Sequence, residues 1–132
     1  MSLPRLFALV VGIVILIVGL SVRSGTGGAF AKIAGDALYA ALVYAVVVFV
    51  APRLAAIVAG AVALAFCWAV EFAQLTPVPA ALSAHIRLAR LVLGSTFNPP
   101  DLLWYAVGIT PVLGLHWLLR VLGAQAGAGP TR

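Results

Sequence analysis

Four long hydrophobic segments, separated by short polar or proline-containing stretches, dominate the pattern of this chain. Each segment is about 17–22 residues long, which at 1.5 Å per residue lets a helix cross or nearly cross ~30 Å of hydrocarbon. The apolar runs are continuous and do not alternate with polar residues, so they favour helices over the alternating strands of a membrane barrel. The predicted spans are residues 6–22, 35–51, 54–75 and 99–122.

The stretch between the third and fourth spans has a different pattern. Ser83, Arg87, Arg90 and Gly94 recur at spacings of four, three and four, which places them on one stripe of a helix, and aliphatic residues occupy another face. Two arginines on one face disfavour a full crossing of the membrane. Residues 80–94 are therefore predicted to form one amphipathic helix, and the pattern leaves open whether it is interfacial or re-entrant.

Composition places the chain among integral membrane proteins. Hydrophobic residues make up 64% of the 132 and charged residues only 8%, whereas a soluble domain is nearer half apolar and a quarter charged. The few polar residues cannot cover this much apolar surface in water. The predicted class is therefore an all-α, integral membrane four-helix bundle. We expect a single transmembrane domain over residues 1–122 and a disordered tail over the Gly- and Ala-rich residues 123–132.

The net charge of +5 comes from basic residues scattered singly at the segment ends. Such residues act as topology signals and headgroup contacts, so membrane lipids are the expected partners and nucleic acid is not. Four crossings put both termini on one side, and the Lys and Arg counts of the two sides are equal. The basic residues on the other side share it with all the acids, so some are expected to be paired. That favours cytoplasmic termini and a charged cluster that faces outward.

No metal or cofactor site is predicted. The single Cys67 excludes a multi-cysteine zinc site, and its place in an apolar helix favours packing. His85 and His116 fall on opposite sides of the membrane in this topology, so they cannot share one metal or haem.

The chain has only three acidic residues, Asp36, Glu71 and Asp101. Each falls at the end of a predicted span, and four crossings place all three on the same side. A carboxylate costs ~2.5–3.5 kcal/mol at the centre of a membrane helix, so such residues usually have a role. Asp36 and Asp101 each open a predicted helix, where a capping role alone is an adequate alternative. Glu71 lies in the last turns of its helix, where the dipole disfavours an anion, so it is protonated, ion-paired or functional.

Several polar residues lie within reach of these acids. Arg87 is the favoured partner of Glu71, because a guanidinium group matches a carboxylate in a bidentate fork. Gln74 lies one turn beyond Glu71 on the same face, and a tyrosine follows each aspartate by about one turn. These tyrosines are expected either to bond within the cluster or to serve as interface residues. The predicted polar site comprises Asp36, Glu71, Gln74, Arg87 and Asp101, with Arg90, Arg23, Tyr39 and Tyr105 around it.

These motifs resemble a family of short, uncharacterised bacterial inner-membrane proteins related to the VanZ-like proteins. The VanZ-like pattern is Glu-x-x-Gln, then Arg, then Asp with a Gly seven residues on, and the resemblance spans about residues 20–110. It singles out Gly108 as well as five of the site residues, and it implies a role in the cell envelope of bacteria. The chain lacks the Lys and His usual after the first Asp and has Tyr105 where Asn is usual. The segments that carry the resemblance are Gly35-Asp36-Ala37-Leu38-Tyr39, Trp68-Ala69-Val70-Glu71-Phe72-Ala73-Gln74-Leu75, Arg87, and Leu93 to Gly108.

Three functions fit this sequence. The preferred hypothesis is an accessory envelope protein whose arginines hold an anionic lipid headgroup or a lipid-linked precursor. The second is an intramembrane hydrolase or transferase with Glu71 or Asp101 as general base. The third is a structural subunit of a larger membrane complex, in which the charges fix the order of the helices. The sequence leaves the substrate, the oligomeric state and the question of catalysis open.

Overall fold

The computed structural model describes residues 1–25, 27–93 and 97–127, and within these residues the regular structure is entirely helical. Four of the helices are long and apolar enough to cross a membrane, which confirms the prediction of an all-α protein with four helices of membrane-spanning length. The remaining two are short and lie between the third and fourth long helices. The helices are α1 (Leu3–Gly25), α2 (Gly28–Val50), α3 (Ala56–Ala73), α4 (Val78–His85), α5 (Arg87–Leu93) and α6 (Pro100–Gly127).

The largest difference from the predicted spans is at the start of α2. The helix begins at Gly28, whose φ of 71° only glycine adopts readily, and not at about residue 35. The segment 29–34 contains no helix-breaking residue, so the helix runs through it from Gly28. Asp36 consequently lies inside the helix and is not its N-cap, which is Gly27.

Three other boundaries are also corrected. Helix α1 starts earlier and ends later than residues 6–22, and α3 is shorter at both ends than residues 54–75. Helix α6 continues past residue 122 to Gly127, because nothing in residues 123–127 breaks the helix. The first half of the predicted disordered tail is therefore helical, and residues 128–132 lie outside the described residues.

Residues 80–94 do not form the single amphipathic helix that was predicted. The helix has a break at Ile86, whose backbone is extended with φ of −124° and ψ of 115°. Helices α4 and α5 lie on either side of this break and pack against each other. The break lets the Arg90 Nε donate to the Ser83 carbonyl at 3.3 Å. We call the pair α4 and α5 the cap segment. The predicted position of Gly94 on its polar stripe lies outside the described residues.

Helix α2 is the central element of the packing. It contacts α1, α3 and α6, and α3 also packs against α6. The core is built largely from small side chains on α2 and α3, with Tyr44 and Val48 filling the wider spaces. Small residues allow the close helix approach that stabilises membrane proteins, in which water does not drive helices together. The sequence pattern of small residues on α3 is thus explained by contacts within the chain.

Candidate functional site

The three acidic side chains lie at one end of the packed helices. This end is formed by the last turns of α3 and the first turns of α2 and α6. A continuous chain of hydrogen bonds and ion pairs connects the acids across the three helices. We call it the polar cluster, and it comprises Lys32, Asp36, Glu71, Asn98, Asp101 and Tyr105.

Lys32 is the cation of the polar cluster. Its Nζ lies 3.0 Å from Asp36 Oδ2, one turn along α2, and 2.8 Å from Asp101 Oδ1 on α6. The Asp101 side chain is only 7% exposed and that of Lys32 is 52% exposed. The lysine therefore neutralises a nearly buried carboxylate from the water side and connects α2 to α6.

Glu71 is fully buried, and both of its carboxylate oxygens are engaged. The backbone N–H of Asn98 donates to Oε1 at 2.7 Å, and the Tyr105 hydroxyl donates to Oε2 at 2.7 Å. The Asn98 amide also donates to Asp101 Oδ1 at 2.7 Å, so Asn98 links the two acids. The predicted Glu71–Arg87 pair does not form, because donors that precede or belong to α6 satisfy the carboxylate.

Tyr105 bonds within the polar cluster, which is one of the two roles expected for the tyrosines, whereas Tyr39 and Gln74 bond to the cap segment. Tyr105 follows Asp101 on α6 but donates to Glu71, on the neighbouring helix. Tyr39 donates to the Val92 carbonyl at 2.8 Å instead of to an acid. Gln74 donates through Nε2 to the Leu93 carbonyl at 2.5 Å. Tyr39 and Gln74 thus attach the last turn of α5 to α2 and to the end of α3.

The three predicted arginines lie outside the polar cluster. Arg23, Arg87 and Arg90 are exposed, and in the described part of the chain none of them forms an ion pair with an acid. Arg23 lies in the last turn of α1, whereas Arg87 and Arg90 lie on α5. The structure therefore separates the predicted site into two parts, a polar cluster whose acids are bonded within it and an exposed basic surface on the cap segment.

Two members of the polar cluster were missed by the sequence reasoning, Lys32 and Asn98. Lys32 precedes the predicted start of the second span, and its spacing of four from Asp36 lies on one helix face only because the helix begins at Gly28. Asn98 precedes the predicted fourth span, and its backbone bond to Glu71 depends on tertiary packing that no local pattern reveals.

The geometry restricts the chemistry that the cluster can perform. Within residues 1–25, 27–93 and 97–127, no group of three or more His, Cys, Asp or Glu side chains is placed to hold a metal ion. Glu71 has no water-accessible surface, and its two oxygens each accept a short hydrogen bond. Such a carboxylate organises the surrounding helices more readily than it accepts a proton from a substrate.

Comparison with known proteins assigns a family but no activity. No curated protein and no solved structure matches the chain. A family described as "Protein of unknown function (DUF2809)" matches residues 26–109, the region from α2 to just beyond Gly108 that contains the whole polar cluster and the cap segment. Because the match covers well over half of the 132 residues, the chain belongs to the DUF2809 family.

Proposed function

We propose that this is a small integral membrane protein that binds an anionic lipid headgroup or a lipid-linked phosphate on the basic surface of its cap segment. Arg87 and Arg90 would hold the anion, and the hydrogen bonds from Tyr39 and Gln74 would hold the last turn of α5 in place beneath them. The single observation that carries this proposal is that both arginines are exposed and free of acidic partners in the described residues. Guanidinium groups in that condition are suited to bidentate binding of phosphate oxygens.

The engagement of all three acids within the polar cluster supports this proposal. Asp36 and Asp101 pair with Lys32, and Glu71 accepts from Asn98 and Tyr105, so no acid in the described residues competes for the arginines. The α5 helix is held by bonds from Tyr39 and Gln74 to its last carbonyls. A basic helix fixed at the end of membrane-length helices lies where lipid headgroups lie.

The proposal includes a location and a biological setting. We place the protein in the inner membrane of a bacterium, with both termini in the cytoplasm and the cap segment facing outward, as an accessory component of the cell envelope. A relationship to the VanZ-like proteins and a lipid-linked envelope precursor as ligand belong to this proposal. A membrane-protein partner remains part of the structural alternative below.

Neutralising the two cap arginines tests this proposal. The assay uses nanodiscs of phosphatidylcholine with a minor fraction of spin-labelled phosphatidylglycerol. The double variant Arg87→Gln with Arg90→Gln is expected to lower selectivity for the anionic lipid about thirtyfold, because each cation near the headgroups contributes ~1 kcal/mol. Electron paramagnetic resonance measures the fraction of motionally restricted label. Added polyprenyl phosphate should displace the label if a lipid-linked phosphate is the ligand.

Arg53→Gln provides the matched control, since Arg53 is exposed but lies in the α2–α3 connection at the opposite end of the helices. Because Arg53 is a single cation near the headgroups, selectivity in this variant should fall by no more than about fivefold, at ~1 kcal/mol. Equal selectivity in the cap double variant and the unmodified protein would rule out headgroup binding on α5.

A structural role is a second candidate, and the Lys32 contacts specifically favour it. Lys32 ties α2 to α6 through Asp101, so the charges act as a lock between helices, although with a different cation from the one predicted. Charge pairs that fix the order of the helices in this way would suit a subunit of a larger membrane complex. The enzymatic alternative gains less support, because Glu71 is buried with both oxygens engaged.

Replacement of Lys32 tests the lock. Lys32→Met is expected to lower the free energy of unfolding by about 1 kcal/mol, a value reduced because the lysine is half-exposed. Lys32→Arg should retain most of the stability, since it keeps the charge opposite Asp101. Thermal unfolding in detergent micelles, followed by circular dichroism, measures both changes, and identical midpoints for Lys32→Met and the unmodified protein would exclude a lock.

A further inference from the structure

A second feature lies at the opposite end of the helices, between α1 and the C-terminal half of α6. There the two helices enclose an open groove of about 690 Å³, within the size range of small-ligand sites. Its walls are almost entirely apolar, with Leu6, Phe7 and Val10 from α1 and Leu115 and Leu119 from α6. Helix α1 is the least buried of the four long helices, so the groove opens toward the lipid.

One buried polar side chain interrupts the apolar lining. His116 is 2% exposed, and its Nδ1 lies 2.6 Å from the Tyr44 hydroxyl. The Tyr44 hydroxyl is much closer to Nδ1 than to the Ala56 carbonyl, which is 3.5 Å away, so we assign the phenol proton to the bond with Nδ1 and the imidazole proton to Nε2. Nε2 has no hydrogen-bond partner among the described residues. A buried N–H donor without an acceptor is costly, and here it borders the groove.

A cation lies one turn further toward the membrane surface. Arg120 also lines the groove and follows His116 by four residues, ~6 Å along the helix axis. One of its N–H groups donates to the Leu54 carbonyl, which fixes the guanidinium group at the groove while other donors remain. From the surface inward, the groove thus presents a cation, then a single N–H donor, then hydrocarbon.

We propose that this groove binds one acyl chain of an amphiphile whose carbonyl or carboxylate oxygen accepts a hydrogen bond from His116 Nε2. A more polar headgroup, where the amphiphile has one, would lie against Arg120. A fatty acid and a glycerophospholipid share this chemistry, which is an acyl chain that ends in an acceptor oxygen. The site is separate from the cap arginines, so each proposal stands or fails without the other.

The order of cation, N–H donor and hydrocarbon along the groove favours a lipid chain over a helix of a partner protein as the occupant of the groove. The surface of a partner helix presents side chains, because its backbone carbonyls are satisfied within the helix. A lipid chain has its acceptor oxygens at the polar end, next to the cation. His116 lines the groove but its Nε2 is buried, so the oxygen reaches it when a lining side chain turns aside. Phe7 is the candidate, since its ring stacks on the imidazole at 5.2 Å and is not buried.

Photolabelling of the full chain tests the groove. Fatty acid and phosphatidylcholine probes with a diazirine at the same chain carbon are incorporated at trace level into phosphatidylcholine nanodiscs, and labelled peptides are identified by mass spectrometry. Label is expected on the groove-lining turns of α1 and α6. Val10→Trp, which adds bulk to the groove lining, should reduce that label about tenfold. Val62→Trp on α3, a residue of similar exposure outside this groove, should leave it unchanged.

The hydrogen bond is tested separately. The pair His116→Phe with Tyr44→Phe removes both polar partners and leaves no new orphan, so circular dichroism should show an intact fold. Groove labelling by the oxygen-bearing probes should fall about two- to tenfold, the effect of one hydrogen bond, while labelling by an alkyl diazirine without oxygen stays constant.

Each labelling result either supports or overturns the proposal. Preferential labelling by the fatty acid or by the phospholipid identifies the source of the chain and supports the proposal. Label spread evenly over all lipid-facing helices and insensitive to Val10→Trp would overturn it. So would an equal loss with the oxygen-free probe in the His116 pair, or cross-linking that shows a second protein copy in the groove.

Discussion

Gly108→Ala is expected to lower the free energy of unfolding by about 3 kcal/mol, at the upper end of the usual cost of overpacking. A Cβ at position 108 would overlap the Ala37 carbonyl oxygen and lie 2.6 and 2.7 Å from the Ala37 carbonyl carbon and Cα. These are backbone atoms of a neighbouring helix, so no side-chain rotation relieves the clash. Helices α2 and α6 must separate, and the Lys32–Asp101 pair, two turns away on the same helices, weakens with them. Denaturant titration in micelles, monitored by tryptophan fluorescence, measures the loss.

Gly114→Ala is the matched control for this prediction. Gly114 lies on the same helix, and a Cβ there meets no atom within 4 Å. Alanine is the better helix former by up to about 1 kcal/mol, so Gly114→Ala should be neutral or slightly stabilising. If the two alanine variants unfold alike, the close approach of α2 and α6 at Gly108 is not a determinant of this fold.

The number and class of the long helices were predictable from the sequence because they depend on local properties. A continuous apolar run of sufficient length specifies a membrane helix almost by itself. The boundaries were less predictable where no strong stop signal occurs. Gly35 resembles a helix start, yet the helix passes through it from Gly28, and α6 continues into a Gly- and Ala-rich segment.

The meeting of the three acids at one end followed from topology alone. An even alternation of crossings places Asp36, Glu71 and Asp101 on one side, and the structure joins them through Lys32 and Asn98. Their partners were not predictable, because each depends on tertiary packing. A charge-matching argument selected arginine for Glu71, whereas a backbone N–H and a phenol satisfy it. Neutral donors that packing brings close can outcompete a distant cation, since they cost less to desolvate.

Gly108 is a residue whose importance was predictable from the resemblance to the VanZ-like proteins but not from the residue pattern. Nothing in the apolar pattern of α6 distinguishes Gly108 from Gly114, and only the resemblance singled it out. The structure supplies the physical reason, which is the contact of Gly108 with the Ala37 backbone. The same contact brings the first turns of α6 against α2, where Asp101 meets Lys32. The glycine is thus connected to the polar cluster through helix geometry and not through chemistry of its own.

Glu71→Gln is expected to lower the free energy of unfolding by about 2–3 kcal/mol, although it preserves the shape of the side chain. The carboxylate accepts from two donors, Asn98 N–H and Tyr105 O–H. An amide offers one acceptor, so its NH₂ group must face one of those donors inside a buried site. Tyr105→Phe removes the phenol donor, and in the double variant the amide carbonyl accepts from Asn98 without opposition. The double variant should therefore be more stable than the sum of the single losses predicts.

The coupling in this double-mutant cycle is expected at about 0.6–1.7 kcal/mol, the range found for hydrogen bonds between membrane helices. Tyr39→Phe supplies the comparison, because the Tyr39 phenol donates to the Val92 carbonyl and not to Glu71. Its combination with Glu71→Gln should give additive losses. Additivity in both cycles would mean that Tyr105 does not donate to Glu71 in the folded protein. The assignment of Glu71 as the residue that joins α3 to α6 would then have to be abandoned. Coupling with Tyr105→Phe but not with Tyr39→Phe would instead show that the Glu71 carboxylate holds α3 and α6 together.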